Sequence, residues 1–342
     1  MIEILKQYWN IINGTYYGLA VVYPHYIDEK IVPPFYCDLI NNVQQLLIEN
    51  HFYWPELMTI SLGIWIVANI RHIFSKYLIN FLINYDYLLE QDRRRFTGNI
   101  WDSLFYLNTV LLARKIIISL RLLDGDPKFL WLKPNDDGDF DSSLLIRLLF
   151  LMDISNYIHS TYYIIFIDHW DRDSSMMIIH HLIATLMLTI SYMIHMERMA
   201  VVVIYLLEIC EVFYFIRCLS KIQLFIIQNY INQWRSFVFT IIIFVWFYNR
   251  LYRYPIIVLQ SSIEFGFTQL IHMPQVAIYI LLYSLTLLIQ LFNIYWAFQL
   301  IRATIRIFRK GLENIEDFRE FNHDDPLVYD DDDKKKQFSK FD

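Results

Sequence analysis

Apolar residues along this chain come in blocks of about twenty, separated by short polar or charged stretches. A helix of about twenty residues crosses the roughly 30 Å hydrocarbon core of a bilayer. Seven such blocks lie near 57–75, 101–123, 144–167, 175–195, 199–220, 237–260 and 276–301. The pattern predicts an all-α integral membrane protein with about seven transmembrane helices. The segment 76–89, "KYLINFLINYDYLL", is too short for a further crossing and is expected to lie in the interface. Arg114, Lys115 and Arg147 fall inside the second and third blocks. Charge at membrane depth is costly, so those two helices are expected to tilt or shift.

Four regions follow from this pattern: a lumenal N-terminal region (1–56), a first transmembrane helix with its interfacial segment (57–89), a helical domain (90–311) and an acidic tail (312–342). An odd number of spans puts the termini on opposite sides, and basic residues set the direction. Lys76 and Arg93–Arg95 follow the first span; Arg217, Lys221 and Arg235 flank the end of the fifth; Arg302, Arg306, Arg309 and Lys310 follow the last. Those segments share the cytosolic side. The N-terminus, with the sequon Asn13-Gly14-Thr15, is therefore lumenal and the C-terminus cytosolic. "MIEILKQYWN" lacks the basic start and apolar core of a cleaved leader, so the first span is expected to direct insertion. The tail is too poor in apolar residues to build a core, and disorder is its expectation.

Composition agrees. The chain is 56% hydrophobic and 19% charged, against about 25% charged in soluble domains. The net charge of −6 is local, held largely in "NDDGDFD" (135–141) and "DDDD" (330–333), and excludes nucleic acid as a partner. Three cysteines make no disulfide framework. Cys210 and Cys218 share one helix about 12 Å apart, too far to bridge. Cys37 stands alone, and no zinc-type spacing is present.

The fourth block carries two adjacent histidines, His180 and His181, and the fifth carries Glu208 and Glu211, three apart and so on one helical face. A buried carboxylate that accepts from one imidazole nitrogen leaves the other basic. Such a histidine serves as general base or as nucleophile toward an activated acyl group. Interhelical hydrogen-bond glue is the plainer alternative. Cys210, between the two glutamates, reads as a small buried residue before it reads as a thiol nucleophile. Two adjacent histidines rarely reach one ion, so no metal is expected. His72, His159, His169, His195 and His272 fall near span ends, where interfacial water serves them. A proton-relaying transporter would show glycine- or proline-broken helices in paired halves. With 8 Gly, 9 Pro and no repeat, that signature is missing.

The run Asp168, four residues, Asp173, six residues, His180-His181, nine residues, Ser191-Tyr192 resembles the signature of ceramide synthases, in the TLC-domain superfamily. "RRRFTGNIWDSLFYLNTV" (93–110) is similar to the family's second helix, "FVWFYNRLYRYPIIVL" (244–259) to its arginine-then-proline helix through Arg250 and Pro255, and "LIQLFNIYWAFQLI" (288–301) to its last, through Gln290, Asn293 and Trp296. The likeness covers about residues 90 to 310. It implies a TLC-domain bundle enclosing an acyl-chain cavity in the endoplasmic reticulum membrane, where a fatty acyl-CoA acylates the amine of a sphingoid base. Acyl-CoA is then a co-substrate, and no cofactor is needed. His180 is expected to take the acyl group and His181 to remove a proton from the amine, with Glu208 and Glu211 as their acids. Asp168, Asp173, Tyr192, Arg250, Asn293 and Trp296 are the expected substrate-binding residues, with Asp173 also placed to cap its helix. Arg93, Arg94, Arg95 and Arg172 would meet the CoA phosphates at the cytosolic mouth.

One position departs. Where the family carries His-Asp, two residues, Asp, this chain reads Leu207, Glu208, Ile209, Cys210, Glu211. The alternative that this departure favours is a non-enzymatic TLC-domain membrane protein. The linker 76–100 has no room for the homeodomain-like insert of some animal members. The acidic tail suits solvation of the C-terminus, a regulatory subunit or a second copy of the chain, and membrane lipids surround the rest.

Overall fold

Every backbone N–H and C=O that enters a bilayer needs an internal partner, and helices supply it throughout the described chain. A computed structural model describes residues 39–43, 54–89, 93–124, 127–131, 140–168, 170, 173–213, 240–266 and 276–310. The sequon, Cys37, Cys218, Arg172, the side chains of Arg94 and Arg95, the acidic residues 135–139 and the tail from 312 lie outside what is described.

The main helices are α1 (Trp54–Phe74), α2 (Asn80–Asn84), α3 (Arg93–Ser119), α4 (Phe140–Phe166), α5 (Ser174–Met193), α6 (Glu197–Glu208) and α7 (Val276–Lys310). No strand occurs among the described residues. Three stretches there are long and apolar enough to cross a membrane: Leu57–Asn84, Ser174–Met193 and Ala277–Arg302. The first differs from the sequence expectation. A π turn at Ser75–Ile79 joins α1 to α2 without a break, so the helix runs on through much of the segment read as interfacial.

Residues 240–266 form one helical stretch that winds as π-helix at Tyr248–Arg253, Pro255–Gln260 and Ser262–Gly266. Pro255 has no N–H to give and its ring clashes with the preceding turn, so regular α-winding fails there. The wider winding, often found at functional sites, is anchored by the Tyr254 hydroxyl, which donates to the Thr286 carbonyl of α7 at 3.1 Å.

Packing closes a ring. α4 packs on α5, α5 on α7, α7 on the π-wound stretch, that stretch on α6, α6 on α3, and α3 back on α4. α1 lies outside, against α4. The ring's interior holds Thr109, Asp153, Asn156, His181, Glu208, Arg250, Gln290 and Asn293, all buried, while Trp65, Ile73, Ile179, Leu182, Leu291 and Phe298 are exposed on the outside. Polar within and apolar without is the arrangement a lipid solvent selects.

Where α1 meets α4, Gly63 faces Ser155, whose hydroxyl donates to the Ile60 carbonyl at 3.3 Å. A β-carbon on residue 63 would collide with that hydroxyl. Gly63→Val should therefore cost about 1–3 kcal/mol through overpacking, read as a lower unfolding midpoint in detergent. Gly98→Ala is the control, because a β-carbon there meets nothing within 4 Å. Equal midpoints for the two variants would show that the α1–α4 contact does not depend on close approach.

Candidate active site

Two features bring the histidines and the first glutamate to one depth. α5 and α6 are joined by a turn of three residues, 194–196, in which His195 adopts the left-handed backbone (φ 59°). His181 lies fourteen residues before that position and Glu208 thirteen after it. At 1.5 Å per residue both stand about 20 Å from the turn.

Glu208, 2% exposed, ends α6. Thr109 of α3 donates its hydroxyl to one carboxylate oxygen. The Tyr157 hydroxyl of α4 donates to the other at 3.2 Å. One carboxylate thus ties three helices. The Tyr157 ring lies against His181 with centroids 5.4 Å apart, and His181 is 5.9 Å from His180. His180 stands edge-on to Trp296 at 5.0 Å and to Phe292 at 6.1 Å, both on α7. Neither histidine's Nδ1 has a partner among the described residues.

Glu211 goes elsewhere. The regular helix stops at Glu208, earlier than the block 199–220 predicts, and Glu211 begins a single 3₁₀ turn, Glu211–Phe213. There its carboxylate pairs with Arg250 of the π-wound stretch. The same guanidinium donates to the Leu207 carbonyl at 2.9 Å and to Asn293 Oδ1 at 3.4 Å. Asn293, 0% exposed, in turn donates to Gln290 at 3.2 Å.

Several sequence expectations change here. Glu208 and Glu211 do not work from one helical face, because the end of α6 comes between them. Neither accepts from an imidazole; Tyr157 intervenes for Glu208, and Arg250 holds Glu211. Asp173 occupies the N-cap position of α5 but makes no side-chain cap bond. Its Oδ2 accepts from Trp296 Nε1 at 3.1 Å instead, tying the start of α5 to α7 beside His180. Tyr192 sits at the far end of α5, where its hydroxyl accepts from Arg147 Nε at 3.2 Å. Asp168 lies in the turn after α4, its N–H donating to the Tyr163 carbonyl at 2.8 Å. His159, expected at a wet span end, is buried near Tyr163, over whose ring Arg71 stacks at 3.6 Å. Cys210 is buried and unbridged. No metal-ligand cluster occurs among the described residues.

Thr109, Tyr157 and Phe292 were not singled out in the sequence. Hydroxyls and aromatics are common in apolar helices, and nothing in one sequence marks which of them meet a distant carboxylate. Asp153 was not singled out either, although a carboxylate in the middle of an apolar block is a signal that could have found it.

Beyond the histidines, between α5, α6, the π-wound stretch and α7, lies an apolar cavity lined by Met187, Leu188, Val203, Val258 and Leu282. Trp131 and Tyr279 also line it; their rings meet edge-on at 5.8 Å. Met187 and Leu188 follow His181 by six and seven residues on α5, about 10 Å along the helix. Neither histidine lines this cavity, whose walls begin about two turns of α5 beyond His181.

The TLC domain family matches residues 95–302. Ceramide synthase 1 of Homo sapiens is 23% identical over 282 residues, covering 80% of this chain and 77% of that protein. Ceramide synthase 1 of Mus musculus is 24% identical over 279 residues, covering 80% and 77%. A ceramide synthase 1 of Arabidopsis thaliana is 24% identical over 171 residues, covering 49% and 53%.

The two carboxylates should respond differently to substitution. Removing one partner of a buried ion pair costs about 3–5 kcal/mol, so Arg250→Ala should lower the unfolding midpoint strongly. Arg250→Lys should recover little, because one ammonium cannot reach Glu211, the Leu207 carbonyl and Asn293 together. Glu208→Gln keeps an acceptor oxygen and should cost about 1–3 kcal/mol, the range for one buried partner left unmatched. Unfolding in detergent measures all three, and a Glu208→Gln loss as large as that of Arg250→Ala would contradict this ranking.

Proposed function

The chain belongs to the TLC domain family, and from that premise we propose that it is an acyl-CoA-dependent ceramide synthase, joining a fatty acyl group to the amine of a sphingoid base. The observation that carries the reading is the pair His180 and His181, unpartnered at Nδ1 among the described residues and on the same helix as the wall of an apolar cavity. The curated relatives support it at the level of the family.

In this reading the fatty chain lies in the cavity and its thioester carbon faces His180. A ring nitrogen attacks that carbon, the bond to the CoA sulfur breaks, and the thiolate leaves with the proton the imidazole sheds. The amine arrives as an ammonium, and His181 takes one proton from it, since only the neutral amine is nucleophilic. Nitrogen then attacks the acyl-imidazole. The amide bond forms as the bond to His180 breaks, and the second amine proton returns to the ring.

Tyr157 and Trp296 set the two rings at fixed angles. Glu208, through Tyr157, acts on His181 as a positioning residue. Holding reacting groups within a few tenths of an ångström is worth several orders of magnitude in rate. The chain crosses the endoplasmic reticulum membrane seven times in this reading, with the N-terminus lumenal and the CoA head group at the cytosolic mouth, near Arg93.

Purified protein in detergent, given a sphingoid base and a panel of acyl-CoAs, should yield ceramide. His180→Ala and His181→Ala should each lower the rate by at least about 100-fold, the lower bound for a lost acid–base group. No product with any acyl-CoA from folded wild-type protein would sink the reading and promote a non-enzymatic role. A second assay addresses the cavity. Val203→Phe narrows its wall and should shift the preferred acyl-CoA to a shorter chain by two or more carbons, at about 0.8 kcal/mol for each CH₂ turned out. An unchanged chain-length profile would place the acyl chain elsewhere.

A further inference from the structure

Asp153, in the middle of α4, is 0% exposed, and neither of its carboxylate oxygens accepts a hydrogen bond among the described residues. Asn156, one turn on and 1% exposed, likewise has its side-chain oxygen without a partner there. Residues 153, 156 and 157 are related by three and four positions, so they share one face of α4. Tyr157 on that face touches His181 and donates to Glu208. Asp153 is also within electrostatic reach of both Glu208 and Tyr157.

The character of this cluster is one-sided. Two oxygens of Asp153 and one of Asn156 are acceptors, and no donor is directed at them among the described residues. Two described arginines are buried: Arg250 is engaged by Glu211, Leu207 and Asn293, and Arg71 stacks over Tyr163, ten positions further along α4. A carboxylate kept from water with no partner costs several kcal/mol, and a chain retains one chiefly where a ligand completes it. A ligand suited to three acceptors is rich in donors and positively charged. A primary ammonium with a neighbouring hydroxyl has four donor hydrogens and one charge. A divalent ion suits the cluster less, since no group of three metal-binding side chains is present among the described residues.

We propose that Asp153 and Asn156 are the seat of the acceptor amine: Asp153 binds the ammonium of the sphingoid base, Asn156 accepts from its neighbouring hydroxyl, and Tyr157 places this seat beside His181. The assignment rests on the acyl-transfer reading above and adds to it the residues that choose an amine over an alcohol.

The test is equilibrium binding, without acyl-CoA, of sphinganine and of its neutral analogue in which hydroxyl replaces the amine. The full chain in detergent is compared as wild type, Asp153→Asn, Asp153→Glu and Asn156→Ala. Wild type should prefer sphinganine by at least tenfold. Asp153→Asn should bring that ratio close to one while still binding the neutral analogue, and Asp153→Glu should restore part of it. Asn156→Ala should weaken both ligands by a similar factor and leave the ratio unchanged. Asp153→Asn with the wild-type ratio overturns the proposal. So does a collapse of the ratio in Asp153→Asn and Asn156→Ala alike, accompanied by lower unfolding midpoints, since that marks a structural role. Absence of ceramide from wild type with every acyl-CoA is a different failure. It brings down the acyl-transfer reading, while the preference for ammonium is still measured in this assay.

Discussion

The guanidinium of Arg250 allows a helix to end inside an apolar bundle. A helix C-terminus leaves four carbonyls without partners, and within a membrane water cannot serve them. α6 ends at Glu208 all the same, at the depth of the histidines. Arg250 takes the Leu207 carbonyl, pairs with Glu211 just beyond the break and reaches Asn293 across to α7. A cation there also opposes the negative end of the helix dipole. With that end secured, Glu208 is held at the helix terminus, where its carboxylate reaches two other helices rather than continuing along a regular face.

The rest of the site follows from how Glu208 is satisfied. Thr109 and Tyr157 each give one hydrogen bond, fixing α3 and α4 against α6. The Tyr157 ring, held by its own hydroxyl, bears on His181, while Trp296, held by Asp173, bears on His180. Each imidazole is thus oriented by an aromatic ring whose polar end is tied to a carboxylate. The rings orient the imidazoles without engaging either Nδ1, an atom that a carboxylate–imidazole bond through that nitrogen would occupy. The apolar cavity lies further along α5 from His181, and the acceptor-only cluster lies on the face of α4 that carries Tyr157.

Leu207 shows how the site bears a change of residue. The resemblance to ceramide synthases implies a histidine at this position, yet here the contact made with Arg250 comes from the backbone carbonyl. A carbonyl is present whatever the side chain. The leucine side chain packs on the main apolar core, which a bundle of this composition accommodates without leaving a polar group unmatched.

Helical class, three of the membrane blocks, the paired histidines and the two downstream acids were legible in the sequence. Hydrophobic length and the cost of charge in lipid are local properties, counted along the chain, and a polar group in an apolar block betrays itself. Partners were not legible. Glu208 and Glu211 look equivalent three residues apart, and only the end of α6 sends one to Thr109 and Tyr157 and the other to Arg250. Asp173 reads as a helix cap, and only the approach of α7 gives its carboxylate an indole. Those outcomes depend on contacts between residues tens to more than a hundred positions apart. Tertiary packing decides such contacts, because a buried polar group takes whichever partner the neighbouring helices bring within hydrogen-bond reach.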